Sequence, residues 1–167
     1  LTVEERRILR SIVQDDLAFI QNFMQIPSKH PGRPRGPFIP WPAQLKLIHN
    51  MSPRNLVIKD SQVGSTSIIT AMFLKRVMTV PDTTAVIVAH KEFLTSRLLH
   101  RAHVLYDSVP APFKPRLDHK SSYELRFPDI NSVMYIGTAM SQVFGRGEPI
   151  HYLLFSEEAF YPAGAYE

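Results

Sequence analysis

From Gln44 onward the chain alternates short apolar runs with longer stretches whose apolar residues recur at helical spacing. Asn55-Leu-Val-Ile58 predicts a buried strand, Thr66 to Met78 a helix, Thr84-Ala-Val-Ile-Val88 a second strand and Phe93 to Tyr106 a second helix. Strand, helix, strand, helix is the order expected of a parallel sheet covered on both faces, because parallel neighbours need a long crossover. Beyond the turn from Pro110 to Pro115, Tyr123-Glu-Leu-Arg-Phe127 and Ser132-Val-Met-Tyr-Ile136 predict two strands joined through Pro128-Asp-Ile-Asn131. A last apolar strand, Ile150-His-Tyr-Leu-Leu-Phe155, ends at Ser156-Glu157-Glu158.

Upstream of this core the pattern differs. Thr2 and Glu5 have capping-box spacing, and Ile8, Ile12, Leu17 and Phe23 recur among charged residues, so an amphipathic helix is predicted from Val3 to about Phe23. The segment Pro27 to Pro42 carries repeated prolines, which remove amide donors and fix φ, so neither a helix nor a central strand persists there. It reads as an extended connector whose Lys29, Arg33 and Arg35 are solvated or touch phosphates. The expected division is a helix and connector over 1–37 and a core over 38–167.

Composition narrows the classes. With 167 residues and 44% hydrophobic content, the chain suits one compact domain or a piece of a larger one. No apolar run approaches the roughly 20 residues of a bilayer span, and the first residues lack the apolar core of a signal peptide, so a cytoplasmic setting is expected. Cysteine is absent, which excludes disulfides, thiolate metal sites and cysteine nucleophiles; a metal would need oxygen or histidine ligands. His100 and His103 share a predicted helix, but exposed or core-edge histidines are the expected reading. A formal charge of +4 and a pI near 9.5 tilt the chain mildly toward anionic partners.

Three segments carry candidate chemistry, each with a plainer structural reading beside it. Lys59-Asp-Ser-Gln-Val-Gly-Ser-Thr-Ser67 lies between a predicted strand and a helix, where backbone amides and a helix N-terminus cradle phosphate; otherwise it is a polar turn capping a helix. Gly64 allows close approach of the main chain, and Thr66 and Ser67 stand where a hydroxyl reaches a nucleotide-bound magnesium ion. Ser65 occupies the place of the usual phosphate-loop lysine, and Lys59 is the alternative source of charge. Glu157 or Glu158, after an apolar strand, suits a carboxylate that orients magnesium or water, or is a solvated loop start. Arg146, between Gly145 and Gly147, suits phosphate charge or an ordinary surface turn.

Taken in order, Trp41-Pro-Ala-Gln44, Lys59 to Ser67, Ala85-Val-Ile-Val-Ala-His90, Ser132 to Thr138, Gly145-Arg-Gly147 and Leu153-Leu-Phe-Ser-Glu-Glu-Ala-Phe160 resemble the ATPase domain of tailed-phage large terminases. The resemblance runs from about residue 38 to the end, and the order of the segments carries it. It implies an α/β fold of the P-loop NTPase type, a parallel-sheet core flanked by helices, preceded by the N-terminal helix and proline-rich connector.

It also implies roles. Gln44 would contact adenine with Trp41 packed nearby, and Lys59, Gln62, Gly64, Ser65, Thr66 and Ser67 would hold the phosphates of ATP. Thr66 and Glu157 would hold Mg2+, Glu157 would be catalytic in preference to Glu158, and Lys59 would add catalytic charge. Arg146 would reach a neighbouring subunit's nucleotide, and the strand ending at Ala89-His90 would relay nucleotide state to DNA. The implied partners are double-stranded viral DNA, the portal protein, the small terminase subunit and further copies in a homo-oligomeric ring on the prohead, in the host cytoplasm.

The chain departs from the family pattern at Ser61, where many relatives carry arginine, at Ser65, where they carry lysine, and at Ser156, where many carry aspartate. It also ends soon after the acidic strand without a nuclease carboxylate cluster, as a C-terminally truncated piece would. The alternatives are a helicase-like DNA-dependent ATPase, which usually keeps the lysine and an Asp-Glu pair, or a degenerate DNA-binding or assembly module that does not hydrolyse ATP.

Overall fold

The computed structural model describes residues 2–28, 32, 34–58, 63–89, 91–118, 121, 123–138 and 149–156. Among them lie helices α1 (Val3–Gln14), α2 (Asp16–Phe23), α3 (Pro42–His49), α4 (Ser65–Thr79) and α5 (Glu92–Ser108). The strands are β1 (Gln25–Pro27), β2 (Arg35–Pro37), β3 (Thr84–Ala89), β4 (Glu124–Phe127), β5 (Ser132–Thr138) and β6 (Tyr152–Ser156).

The opening amphipathic pattern forms two helices rather than one. Thr2 and Glu5 make the reciprocal capping box, with Glu5 N donating to Thr2 Oγ1 at 3.2 Å and Thr2 N to Glu5 Oε2 at 2.7 Å. The break falls at Asp15, which leaves helical geometry and accepts from Ala18 N at 2.8 Å, serving as the N-cap of α2. In the proline-rich connector, β1 and β2 pair antiparallel over three residues each, and Phe38 is buried in the core immediately after them. The connector thus holds a short antiparallel pair anchored on the core, and among its described residues no strand joins the main sheet.

The main sheet has the order β4-β5-β3-β6. β3 runs parallel to both β5 and β6, whereas β4 is antiparallel to β5, so the sheet is mixed and not purely parallel as expected. The reason is local: Pro128 to Ile130 forms a single 3-10 turn and Asn131 turns back at φ 50, which makes β4 and β5 a hairpin. Asn131 Nδ2 donates to Asp82 Oδ1 at 2.7 Å, tying this turn to the one that leads into β3.

Every residue of β3 is buried, as a central strand requires. Alternate side chains Ala85, Ile87 and Ala89 join Met134, Ile136 and residues of α2, α4 and α5 in one core cluster. The opposite face, with Val86, Val133, Leu153 and Phe155, lies outside that cluster, and Leu153 and Phe155 remain exposed along β6. Helix α4 is buried over most of its length from Ile68 to Met78. Its Lys75 pairs with Asp16 at 2.9 Å and Arg76 pairs with the same carboxylate at 2.7 Å, which clamps α2 to the core helix.

One expected element is absent. Asn55 to Ile58 forms no strand; Leu56 is 82% and Ile58 94% exposed. An apolar run becomes a strand only where a neighbouring backbone supplies hydrogen bonds, and among the described residues the sheet ends at β4 and β6 with no partner paired to 55–58. No described helix is long and apolar enough to cross a membrane.

Candidate functional site

Helix α4 begins directly after Gly64, which adopts φ 75 and ψ 17. Glycine is required there twice over. The left-handed region penalises other residues, and a Cβ would lie 2.7 Å from Gln44 Nε2. The Gly64 carbonyl is turned back into the fold, accepting from Ser67 N at 3.1 Å, Ile68 N at 3.2 Å and Gln44 Nε2 at 2.7 Å. That leaves the Ser65 and Thr66 amides ahead of the first helical hydrogen bond, no side chain caps the helix, and the first turn holds no acidic residue. This end of the helix carries partial positive charge.

Gln44 reaches this turn from α3. Its Oε1 accepts from Trp41 N at 2.9 Å while its Nε2 holds Gly64, so one buried amide joins the start of α3 to the start of α4. Both polar ends of Gln44 are thus engaged within the protein. Trp41 itself is 61% exposed at the N-cap of α3. On the α3 side of the turn lies an open cavity of about 610 Å³, lined by Gln44, Leu47, Asn50, Leu56, Ile58 and Val63 among others. Its wall mixes apolar side chains with the amides of Gln44, Asn50 and Asn55 and the cations Lys46 and Arg54, which suits a flat, partly polar group beside negative charge, and its size falls in the ~300–1,000 Å³ range of small-molecule sites.

The sheet brings its own end to the same place. Parallel pairing sets Ala89 opposite Thr138 on one side and Ser156 on the other, so these strands finish level at their carboxyl ends. There Thr66 Oγ1 and Ser156 Oγ share a hydrogen bond at 3.2 Å. The register is pinned upstream, where His151 N donates to Thr84 O and Thr84 N to His151 Nδ1, each at 3.0 Å. The carboxyl edge of a parallel sheet beside a helix N-terminus is where open α/β folds bind phosphate-bearing ligands.

Of the residues singled out from sequence, Gln44, Gly64, Ser65, Thr66 and Ser67 are gathered here. Lys59, Ser61, Gln62, His90, Arg146, Glu157 and Glu158 lie outside the described residues. Glu157 is the next residue after Ser156, which the hydrogen bond to Thr66 places at the site. For a hard cation such as magnesium the described donors are the Thr66 and Ser156 hydroxyl oxygens, which fit oxygen coordination but carry no charge. Among the described residues no group of three or more His, Asp or Glu that could hold a metal gathers, here or around His100 and His103.

Sequence reading missed Arg101. It projects from α5 and donates from NH1 to Ser67 Oγ at 2.6 Å, in the first turn of α4. The available signal was its position three residues after Leu98 and beside Ala102, both buried, which sets it at the border of the core-facing stripe. Burial pushes its guanidinium below the ordinary value. No protein-family model matches the chain, and no curated protein is significantly similar to it.

Proposed function

We propose that this chain is the nucleotide-binding core of a P-loop-type ATPase, the motor part of a viral DNA-packaging terminase that drives double-stranded DNA into a prohead. The observation that carries the reading is the contact of Thr66 with Ser156 at 3.2 Å, at the start of a glycine-led helix and the end of a parallel strand. A phosphate chain is favoured at such a junction by free amides and the helix dipole. The order of segments from Trp41 to Phe160 narrows the reading to large terminases.

In this reading the base of ATP occupies the cavity beside Gln44, and the loop ending in Gly64, Ser65, Thr66 and Ser67 holds the phosphates, with Lys59 and Gln62 completing it. A magnesium ion, if bound, would supply positive charge against the negative charge that develops in phosphoryl transfer. Thr66 offers it a hydroxyl and Glu157 a carboxylate. Glu157 also accepts a hydrogen bond from the attacking water and aligns it, and Arg146 reaches the nucleotide of an adjacent subunit. A homo-oligomeric ring on the prohead, in the host cytoplasm, is then the working form, with the portal protein and small terminase subunit as assembly partners. Duplex DNA is gripped through its phosphates, which suits the +4 charge.

A second reading has its own observation: Ser156 puts a neutral hydroxyl against Thr66 where a carboxylate would bind metal. That favours a DNA-binding or assembly module that binds nucleotide weakly and does not hydrolyse it. Titration with a fluorescent ATP analogue, with and without magnesium, followed by DNA-stimulated turnover, separates the two. Saturable magnesium-dependent binding with turnover that Glu157→Ala abolishes supports the motor. Binding without turnover selects the second reading, and no binding at all overturns the motor reading.

A further inference from the structure

Three arginines among the described residues are drawn partly out of solvent: Arg76, Arg101 and Arg126. Two have carboxylate partners. Arg76 bonds Asp16 at 2.7 Å and also donates to Tyr152 Oη at 3.0 Å, while Arg126 bonds Glu124 at 3.0 Å. For Arg76 burial disfavours the charge, yet these bonds outweigh it and the guanidinium is held above its ordinary value. For Arg126 the bond to Glu124 does the same.

Arg101 is the exception. Its partner among the described residues is a neutral hydroxyl, Ser67 Oγ, and no carboxylate there offsets its burial. The bond places this cation against the first turn of α4, where the helix dipole is already positive and no acidic residue stands. A desolvated cation facing a positive helix end is an unfavourable arrangement in isolation, since among the described residues neither has a counter-charge. The same arrangement is favourable around an anion, because a guanidinium keeps further N–H donors in a planar fork after one is used. Ser65 stands where a phosphate loop usually has lysine, so the helix start itself brings no cation of that kind.

We propose that Arg101 supplies that charge: with NH1 on Ser67, it donates its remaining N–H groups to a phosphate oxygen of the nucleotide bound at the start of α4. The inference rests on the nucleotide reading above and adds a binding residue from α5 to it. It also makes the site a junction of three helices, with Gln44 from α3, Gly64 to Ser67 leading α4, and Arg101 from α5.

The test uses the whole chain with an N-methylanthraniloyl-labelled ATP plus magnesium, and separately inorganic pyrophosphate in a thermal-shift assay. Arg101→Gln and Arg101→Met should weaken the labelled ATP about tenfold or more, the scale of one charge-assisted hydrogen bond, while the ligand-free melting midpoint is little changed. Arg101→Lys should be intermediate, keeping charge without the fork. Pyrophosphate should raise the midpoint of the wild type and not of Arg101→Gln.

Unchanged affinity in Arg101→Gln overturns the inference, as does loss of folding in every variant at 101, which would make Arg101 a structural clamp. If the wild type ignores labelled ATP but pyrophosphate stabilises it through Arg101, the nucleotide reading fails and the anion site stands. If the wild type responds to neither probe, both fall.

Discussion

Thr66 Oγ1 and Ser156 Oγ lie 3.2 Å apart although ninety residues separate them in sequence. The bond joins the first turn of α4 to the last residue of β6, and the other ends of the same two elements are joined again by Arg76 and Tyr152 at 3.0 Å. Helix and strand are therefore held at both ends, so the junction proposed to hold nucleotide rests on a fixed frame.

Thr66→Val keeps the shape of the side chain and removes the hydroxyl. It should lower stability by about 1 kcal/mol through the lost hydrogen bond. It should also abolish most of the difference between ATP affinities measured with magnesium and with a chelator. Ser156→Asp should enlarge that difference, because a carboxylate beside Thr66 adds charge to the hydroxyl pair. Calorimetric titration of both variants checks the pair, and an unchanged magnesium dependence in both would remove Thr66 and Ser156 from the metal site.

Gly64→Ala should destabilise the chain by about 1–3 kcal/mol, since it combines a left-handed φ of 75 with a Cβ 2.7 Å from Gln44 Nε2. In a Gln44→Ala background the collision is gone and only the backbone penalty of about 1 kcal/mol remains. A double-mutant cycle by urea denaturation should therefore be non-additive. Strict additivity would mean that Gln44 does not hold this turn.

Asp16→Ala should be among the most damaging single changes outside the core, costing about 3–5 kcal/mol, because Lys75 is left buried without its counter-charge. Replacing Lys75 by methionine in the same chain should recover much of that loss, since the stranded cation is removed. Melting curves of the single and double variants test this, and a double variant no more stable than Asp16→Ala would contradict it.

Tyr106, near the C-terminus of α5, is buried beside Phe127 and donates its hydroxyl to Pro115 O at 2.7 Å. Burial foremost, with Asp107 nearby, pushes its phenol above the ordinary value of 10.0. The folded state therefore holds this proton more tightly than the unfolded state. The contribution is complete below the unfolded pKa and is lost as pH rises through the raised folded value. Tyr106→Phe should cost about 1 kcal/mol at neutral pH and flatten the fall in stability above about pH 10. An identical alkaline profile for wild type and variant would contradict the assignment.

How much of this was legible beforehand depends on where each element draws its stability. Helices α4 and α5 and strands β3, β5 and β6 were readable because each carries its own apolar period or run. The division at Asp15 was also written locally, as two successive aspartates inside a helical pattern, and was passed over. Asn55 to Ile58 misled because strand formation depends on a distant partner that composition does not reveal. Gln44, Gly64 and Thr66 could be nominated from their order along the chain, whereas their contacts arise only when α3, α4 and β6 converge. Arg101 was hidden for the same reason: its significance lies in its bond to Ser67 at the start of α4, a property of the packed surroundings and not of the helix that bears it.

The central claim, that the start of α4 and the end of β6 form one nucleotide site, is tested most directly by amide chemical shifts during titration with a non-hydrolysable ATP analogue and magnesium. Gly64, Ser65, Thr66 and Ser156 should shift together and saturate with a single dissociation constant. Shifts confined to other parts of the fold, or movement near Gly64 with Ser156 unaffected, would contradict the account.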